Sequence, residues 1–315
     1  MSTTARLLNG NPIRDQILTE VRQQLQEAAG QGLRPGLAVI LVGNNPASEI
    51  YVRNKVKSCE SLGIYSEKLT PPESVTTEQL LELVEQLNRR EEIDGILVQL
   101  PLPPQVDTKR VLEAVDPAKD VDGFHPRNVG YLVTQRAGLV PCTPAGILEI
   151  LRRSDIPIKG QRAVVVGRSD IVGKPVALLL LHEHATVTLC HSRTRDLPAV
   201  CRQADILVAA MGRPAMITAE YVQPGATVID VGINKITDRA EVERLFPGNA
   251  RRREEVEAKG YTLVGDVNPD SVLPVAGALT PVPGGVGPLT IAMLMVNTVR
   301  AAGLRRGVAL TAGVA

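Results

Sequence analysis

Aromatic residues are scarce in this sequence: they make up 2% of its 315 residues, and tryptophan is absent. This composition argues against the aromatic stacking platforms that bind single-stranded nucleic acid. The formal net charge is +1, so bulk charge indicates neither nucleic acid nor a membrane surface as a partner. No apolar run reaches the length that spans a bilayer. We therefore expect a protein that binds neither nucleic acid nor membranes.

Cysteines are also few, and none belongs to a Cys-x-x-Cys pair. The sequence has four of them: Cys59, Cys142, Cys190 and Cys201. We interpret them as small buried side chains in a reducing compartment. The first residues lack the pattern of a secretory signal peptide, so we expect a cytoplasmic protein. His182 and His184 stand two apart on a predicted helix and face different ways, and we expect no metal site.

Short apolar runs alternate along the chain with stretches whose apolar residues recur at helical spacing. The runs are typical of buried strands in a parallel sheet, and the alternation predicts an α/β fold with helices on both sheet faces. The length of 315 residues favours two domains. The predicted strands are 37–42, 93–100, 163–166, 186–190, 206–209 and 227–231. The predicted helices include 11–29, 49–62, 76–90, 145–153 and 289–302.

Tyr51 and Lys55 stand four residues apart on the helix predicted between Ser48 and Gly63, so they share one face. Ser48 is the predicted N-cap of this helix and Gly63 the predicted C-cap. Nearby basic residues and burial both lower a lysine pKa, towards the range where the amine exchanges protons at neutral pH. Taken alone, the segment also fits a solvated basic helix face with a tyrosine lying along it.

Two polar positions follow the strand predicted at 93–100. Gln99 lies at its carboxyl end, where ligands bind in open α/β sheets, although a loop-edge glutamine can equally bond the backbone. Asp122 lies in a turn rich in aspartate and glycine, which is common in plain loops. A lone carboxylate there also suits the amidine-like edge of an aminopyrimidinone such as a pterin. We interpret His125 as a structural polar residue.

The second domain begins with a strand that leads into a glycine loop and a helix, the context in which a dinucleotide pyrophosphate binds. The loop residues are Gly167, Arg168, Ser169 and Gly173, a spacing that departs from the usual G-x-G-x-x-G. An NAD enzyme would carry an acidic residue after the next strand. Ser192 and Arg193 follow that strand instead, and with Arg168 they suit a 2′-phosphate, so the sequence favours NADP. Basic residues on the surface of an α/β domain are the alternative.

Later strands end at Gly212 and just before Ile233, where a cofactor edge could approach the backbone. The charged segment 237–260 is predicted to be a solvated excursion. The segment 280–288 holds three prolines and three glycines, which predicts a rigid, tightly bent loop. The residues after Gly303 are small, and we expect them to fray.

Several separated segments of the sequence form an ordered set of motifs. The Tyr51–Lys55 pair is followed, in order, by segments 98–103, 119–124, 141–146, 167–175 and 281–288. Together they closely resemble the bifunctional methylenetetrahydrofolate dehydrogenase/methenyltetrahydrofolate cyclohydrolase family. The likeness runs from about Arg6 to Ala302, and the segments around Asp122 and Pro283 carry most of its specificity.

The resemblance implies two α/β domains with a cleft between them. Residues 1–143 plus 286–315 would form a folate-binding catalytic domain, and residues 144–285 a Rossmann-like NADP-binding domain. It also implies NADP-linked oxidation of 5,10-methylenetetrahydrofolate to the methenyl form, followed by hydrolysis to 10-formyltetrahydrofolate. The partners would be tetrahydrofolate one-carbon derivatives used in purine biosynthesis, and the expected assembly is a homodimer.

Residue roles follow from the same resemblance. Lys55 would be the catalytic lysine, Tyr51 the ring that stacks on folate, Gln99 its hydrogen-bonding neighbour and Asp122 the pterin anchor. The loop residues that would lie against the folate are Pro283, Gly284 and Gly285. Arg168, Ser192 and Arg193 would hold the 2′-phosphate. The remaining expected cofactor-binding positions are Gly167, Ser169, Gly173, Gly212 and Ile233.

Three alternatives belong to other functional classes or to a narrower activity. A non-catalytic folate- or nucleotide-binding module would need the fold without Lys55 and Gln99, and both are present. A hydroxy-acid dehydrogenase would want a His–carboxylate pair with an arginine clamp, which the sequence does not assemble. A monofunctional methylenetetrahydrofolate dehydrogenase is nearer, and only the presence of Lys55 argues against it.

Overall fold

The computed structural model describes residues 4–30 and 32–310. The chain divides into two compact units. The six-stranded unit comprises residues up to Ile13 together with Thr143–Leu289, and the three-stranded unit comprises Arg14–Cys142 together with residues from Thr290 onward. The N-terminal residues group with the six-stranded unit, not with the predicted folate domain, because their strand pairs with the sheet of that unit. The predicted domain boundaries themselves stay a prediction.

Strands and helices alternate through most of the chain. The strands are β1 (Arg6–Leu7), β2 (Gly36–Ile40), β3 (Tyr65–Leu69), β4 (Gly95–Val98), β5 (Arg162–Val166), β6 (Thr186–Cys190), β7 (Ile206–Ala209), β8 (Thr227–Asp230), β9 (Asn234–Ile236), β10 (Thr262–Val264) and β11 (Ala278–Leu279). The helices are α1 (Gly10–Ala29), α2 (Pro46–Leu62), α3 (Thr77–Arg89), α4 (Thr108–Ala114), α5 (Pro126–Val133), α6 (Cys142–Arg153), α7 (Gly173–His182), α8 (Leu197–Cys201), α9 (Arg239–Leu245), α10 (Ala250–Lys259), α11 (Pro269–Val272) and α12 (Val286–Arg306).

The three-stranded unit is built on a parallel sheet in the order β3-β2-β4. Every residue of β2 and β4 is buried, whereas β3 is a partly exposed edge. This agrees with the continuous apolar runs expected of strands covered on both faces. Both buried strands are shorter than predicted, and the residues after Ile40 and Val98 continue as loops at the carboxyl end of the sheet.

Helix α2 begins earlier than the sequence predicted. The side chain of Asn45 accepts the Ser48 backbone N–H at 3.2 Å, so Asn45 provides the cap and Ser48 lies inside the first turn. The predicted N-cap was therefore wrong, because a second cap-forming side chain stood three residues upstream. The predicted C-cap is confirmed, since Gly63 follows the helix with φ of 73°.

The six-stranded unit contains a parallel sheet in the order β1-β11-β8-β7-β5-β6. Strand β5 lies between β6 and β7, so the chain first moves to one side of β5 and then crosses to the other. Such a reversal is the point at which open α/β sheets bind ligands, outside the carboxyl ends of the strands. The loops that follow these strands carry the predicted cofactor residues.

Two predictions about charged or small-residue segments were wrong. Segment 237–260 is not a solvated excursion, because α9 and α10 pack on the antiparallel β9–β10 pair. Their shared apolar cluster consists of Ala215, Ile236, Val242, Phe246 and Val264. The end of the chain does not fray at Gly303, because α12 continues to Arg306 and Leu310 packs near Ala28, Leu33 and Ala302. Residues 311–315 lie outside the described residues.

All four cysteines are buried and free, which confirms their interpretation as small core side chains. Helix α12 is long and apolar enough to cross a bilayer by length and composition alone. However, 72% of its most apolar window is buried inside the protein, as expected for a core helix.

Candidate functional site

Lys55 and Gln99 contact each other although they come from different elements. Lys55 lies on α2 and is 8% exposed, and its Nζ donates to the Gln99 Oε1 at 3.0 Å. Gln99 follows β4, and its Nε2 donates to the Leu100 carbonyl at 2.8 Å. One end of the amide therefore bonds the backbone and the other holds the lysine, and the contact of Gln99 with a ligand stays a prediction. This fixes the Lys55 amine at the carboxyl end of the sheet.

Tyr51 lies one turn before Lys55 on α2 and is 37% exposed. Within residues 4–30 and 32–310, its hydroxyl forms no hydrogen bond. Partial burial raises the pKa of Tyr51, so the phenol stays neutral at physiological pH. The structure thus leaves an accessible aromatic ring on the same helix as the buried amine. A ring of this kind can receive a flat ligand.

Asp122 is the third predicted site residue in this unit. Its carboxylate is half-buried and accepts no hydrogen bond from the described part of the chain. Burial raises the pKa of Asp122 to about 6, the nearby Lys55 charge opposes that rise, and Asp120 adds to it. A carboxylate without a protein donor is costly unless a ligand or water supplies one. Lys55, Gln99 and Asp122 are thus brought together as predicted.

Two charged neighbours in the same turn have structural roles that the sequence did not reveal. Lys119 is 1% exposed, and its Nζ donates to the carbonyls of Leu87, Asn88 and Arg90 at 3.0, 2.7 and 2.7 Å. These carbonyls end α3, where a helix leaves its acceptors unpaired and favours a cation. Lys119 therefore anchors the turn to that helix.

Asp120 anchors the other side of the turn. Its Oδ2 accepts the His125 backbone N–H and the Asn128 Nδ2, each at 2.8 Å. His125 in turn accepts the Arg127 N–H and caps α5, so its interpretation as a structural residue is confirmed. Of the three charged residues in segment 119–122, two are bonded within the protein, and Asp122 has no donor among the described residues.

The loop 281–285 belongs to the six-stranded unit. The Gly284 carbonyl accepts the Gly10 N–H at 2.8 Å, and Gly284 has φ of 103°. A Cβ on Gly285 would lie 2.6 Å from the Pro281 carbonyl oxygen. The Val282–Pro283 peptide is cis. The backbone of 281–285 is bent as predicted, but residues 286–288 of the predicted loop form the first turn of α12. Pro281 and Pro283 line a cavity of about 390 Å³ together with Asp230 and Thr280, among other residues.

The glycine loop after β5 depends on close backbone approach. Gly167 has φ of 124°, and a Cβ there would overlap the Ala210 carbonyl oxygen. A Cβ on Gly173 would overlap the carbonyl oxygen of Gly167. Ser169 Oγ accepts the backbone N–H groups of Val172 and Gly173, each at 3.2 Å. Ser169 therefore helps to start α7, and its hydroxyl hydrogen remains able to donate to a phosphate.

Arg168, Ser192 and Arg193 are exposed and follow adjacent strands, because Val166 of β5 lies opposite Cys190 of β6. In the described part of the chain neither guanidinium forms an ion pair or a side-chain hydrogen bond. Two unpaired guanidiniums and a hydroxyl at neighbouring strand ends can bind a phosphate monoester. The residues present therefore fit the 2′-phosphate of NADP.

Gly212 and Ile233 follow β7 and β8. Ile233 is 45% exposed, and Gly212 has φ of 66°. The Gly212 amide donates to Asp266 at 2.8 Å. Asp266 and its neighbour Asp230 are buried carboxylates that the sequence analysis did not single out. The glycines next to them, Gly232 and Gly265, were the sequence signal that could have indicated these buried carboxylates. A Cβ on either glycine would overlap one of the carboxylates.

Comparison with known proteins identifies the family to which this chain is similar. The profile "Tetrahydrofolate dehydrogenase/cyclohydrolase, catalytic domain" matches residues 8–122, and the profile of the NAD(P)-binding domain of the same family matches residues 141–306. The chain belongs to the tetrahydrofolate dehydrogenase/cyclohydrolase family. The bifunctional protein FolD of Koribacter versatilis is 69% identical over 96% of this chain and 98% of its own length.

Solved structures agree with the family assignment. The bifunctional FolD dehydrogenase/cyclohydrolase of Campylobacter jejuni has a TM-score of 0.86 and 41% identity, covering 96% of this chain and 99% of its own. The Trypanosoma brucei FolD, solved with NADP and an inhibitor, has a TM-score of 0.86 and 39% identity, covering 97% and 99%. The predicted family and the predicted α/β fold, with a catalytic and a Rossmann-like NAD(P)-binding domain, are confirmed.

Proposed function

We propose that this chain oxidises 5,10-methylenetetrahydrofolate with NADP and hydrolyses the resulting methenyl form to 10-formyltetrahydrofolate. The observation that carries the proposal is the Lys55–Gln99 hydrogen bond beside the unpaired carboxylate of Asp122. The bifunctional relatives, 69% and 64% identical over 96% of this chain, support it. The relative solved with NADP supports the choice of cofactor.

The oxidation demands orientation more than proton transfer. NADP, when bound, supplies the hydride acceptor. Asp122 accepts hydrogen bonds from the aminopyrimidinone edge of the folate, and Tyr51 stacks on its ring. Pro283, Gly284 and Gly285 lie against the folate from their rigid loop. Removal of a hydride from the carbon between two nitrogens leaves an amidinium cation, so the Lys55 amine is neutral or turned away in this step.

Hydrolysis makes different demands on the same residues. Water adds to the methenyl carbon and loses one proton. One carbon–nitrogen bond then breaks, that nitrogen gains a proton, and the remaining hydroxyl proton leaves to solvent as the formyl C=O forms. Lys55 takes the first proton and returns it to the departing nitrogen. Gln99 accepts from the Lys55 amine and so holds it at the position of attack. Lys55 therefore favours the bifunctional enzyme over a monofunctional dehydrogenase.

NADP would be held by residues of the six-stranded unit. Gly167 and Gly173 allow the backbone to lie close to the pyrophosphate, and Ser169 donates its hydroxyl hydrogen to it. The 2′-phosphate is bound by Arg168, Ser192 and Arg193. Gly212 and Ile233 line the remainder of the cofactor. We assign 144–285, together with the N-terminal residues that group with the six-stranded unit, to this cofactor domain, and the rest of 1–143 plus 286–315 to the folate domain.

We further propose that the protein is a cytoplasmic homodimer that supplies one-carbon units for purine biosynthesis. The sheet edge supports the dimer, because β6 is an edge strand with Leu189 39% exposed, and Leu181 of the preceding helix is 53% exposed. An open, partly apolar strand edge favours pairing with a second copy. Sedimentation of the purified protein would test this, and a monomer at micromolar concentration would contradict it.

The test of the main proposal is spectroscopic. The purified protein is mixed with methylenetetrahydrofolate and either NADP or NAD, and the reduced cofactor and the methenyl intermediate are followed by their absorbance. We expect reduction of NADP in preference to NAD, with little accumulation of the methenyl form because it is hydrolysed. Accumulation of the methenyl form as the final product would instead favour the monofunctional enzyme.

A further inference from the structure

Asp266 is a fully buried carboxylate, 0% exposed, that accepts from four donors, three in the 211–213 loop and one at the start of β9. It accepts the consecutive backbone N–H groups of Met211, Gly212 and Arg213 at 2.6, 2.8 and 2.8 Å. It also accepts the Asn234 Nδ2 at 2.9 Å. Ionised carboxylates form the stronger class of hydrogen bond. Both loops that carry predicted cofactor contacts, those of Gly212 and Ile233, are therefore tied to one side chain.

The direction of these three amides decides what the 211–213 loop can offer a ligand. In a trans peptide the N–H and the preceding C=O point in opposite directions. Because the N–H groups of 211–213 face Asp266, the carbonyls of Ala210, Met211 and Gly212 face away from it, and that of Ala210 lies against Gly167. Among the described residues no donor bonds these three carbonyls. The loop therefore presents the Met211 and Gly212 carbonyls as hydrogen-bond acceptors, which suit hydroxyl or carboxamide donors and repel phosphate.

A second buried carboxylate supports the first. Asp230, 3% exposed, accepts the backbone N–H groups of Gly232, Asp266 and Val267 at 3.0, 2.8 and 3.0 Å. Asp230 thus holds the backbone of Asp266 while Asp266 holds the two loops. A Cβ on Gly232 or Gly265 would overlap these carboxylates, so only glycine allows the backbone at these two positions to pack against Asp230 and Asp266.

We propose that Asp266 is a positioning residue for the cofactor, a role that rests on the NADP-dependent activity proposed above. By drawing the amides of 211–213 inward, its carboxylate turns a row of carbonyl acceptors towards the part of the cofactor that carries donors. Those donors are the ribose hydroxyls and the nicotinamide carboxamide, which NADP and NAD share. Asp266 therefore sets the affinity for both cofactors and leaves the preference for the 2′-phosphate to Arg168, Ser192 and Arg193.

The test compares Asp266→Asn with the control Asp270→Asn, an exposed aspartate four residues along the chain. An asparagine keeps the shape but points an amide group at the backbone N–H groups, so the 211–213 loop loses its anchor. We expect the Kd for NADP, measured by titration calorimetry, to rise at least tenfold in Asp266→Asn and less than twofold in the control. The Kd for NAD should rise by the same factor, which leaves the NADP:NAD ratio unchanged.

Hydrolysis of methenyltetrahydrofolate in the absence of NADP is the internal check on folding, and we expect it to stay within twofold of the wild type. An unchanged Kd for NADP would overturn the proposal, and so would a parallel loss of hydrolysis or a ratio altered more than threefold. If Asp266→Asn does not fold, Asn234→Ala removes one donor only and should raise both Kd values about threefold. A wild-type protein that binds no NADP would instead refute the proposed function itself.

Discussion

The Lys55 Nζ donates to the Gln99 side-chain oxygen across 3.0 Å, although 44 positions separate the two residues in sequence. The lysine comes from the interior of α2 and the glutamine from the end of β4, two elements of one α/β unit. A buried amine held in one direction by a neutral acceptor keeps its nitrogen available for proton transfer. Hydrolysis needs a group that transfers protons in this way, whereas hydride transfer does not.

Replacing Lys55 with methionine should separate the two activities. Methionine retains much of the apolar stem and removes the amine. General acid–base catalysis is worth about 10²–10⁴-fold, so we expect cyclohydrolase activity to fall by that order. Dehydrogenase activity should survive in part, because Tyr51 and Asp122 still orient the folate. The methenyl intermediate should then accumulate and be visible by its absorbance.

The matched control is Lys57→Met, since Lys57 lies two residues along the same helix and is exposed. It should leave both activities within about twofold of the wild type. If Lys55→Met abolished hydride transfer as completely as hydrolysis, with the fold intact, Lys55 would be an orienting group and the acid–base role would belong elsewhere.

Arg168 should govern the choice between NADP and NAD. Loss of a hydrogen bond to a charged group costs about 1.5–3 kcal/mol, so Arg168→Ala should raise the KM for NADP by roughly 10- to 100-fold and leave that for NAD nearly unchanged. Arg162 lies at the amino end of β5, the end away from the glycine loop, and Arg162→Ala is the control. Equal losses for both cofactors in Arg168→Ala would refute the 2′-phosphate assignment.

Lys119 should matter for stability. Its amine satisfies three carbonyls at the end of α3 and is almost fully buried. Lys119→Met leaves the Asn88 carbonyl without a donor among the described residues and the other two carbonyls with only their longer backbone bonds, at 3.3 and 3.4 Å. We expect the free energy of unfolding to fall by about 2–4 kcal/mol, measured by urea denaturation. The exposed Lys109→Met should change it by about 0.5 kcal/mol or less. A stability loss no greater than that of the control would mean that water replaces the amine.

Local signals were sufficient wherever one segment determines its own structure. The strands β6 and β7 have the predicted bounds, because each is a short run of strand-forming residues flanked by breaks. The residues of the glycine loop and of the 281–285 loop were also visible, since both depend on glycine and proline within a few positions. The members of the Lys55 site come from separate segments, and the family resemblance brought them together.

Long-range contacts account for what the sequence did not reveal. The donors to Asp266 lie 32 to 55 positions from it in sequence. The carbonyls that accept from Lys119 lie 29 to 32 positions from it. No local spacing therefore indicates either role. The segment 237–260 looked solvated because charges dominate it. Its Val242 and Phe246 become a core only with Ala215, Ile236 and Val264, which come from neighbouring segments.

Asp122 should give stability and substrate binding opposite dependences on pH. Burial raises its pKa from 3.8 to about 6 in the folded protein. Between these two values the folded state holds a proton that the unfolded chain has released. The stability contributed by Asp122 is therefore complete below about pH 4 and is lost as the pH rises to about 6.

Folate binding should change in the other direction, because only the ionised carboxylate accepts hydrogen bonds without also donating one. We expect the KM for the folate substrate to rise as the pH falls below about 6, for both activities, since both use one folate pose. Asp122→Asn should raise that KM at every pH, remove its dependence on pH, and flatten the slope of stability between about pH 4 and 6. Steady-state kinetics and urea denaturation from pH 4.5 to 8 would measure both. A variant that lost one activity alone would place Asp122 in the chemistry of that step and not in anchoring the pterin.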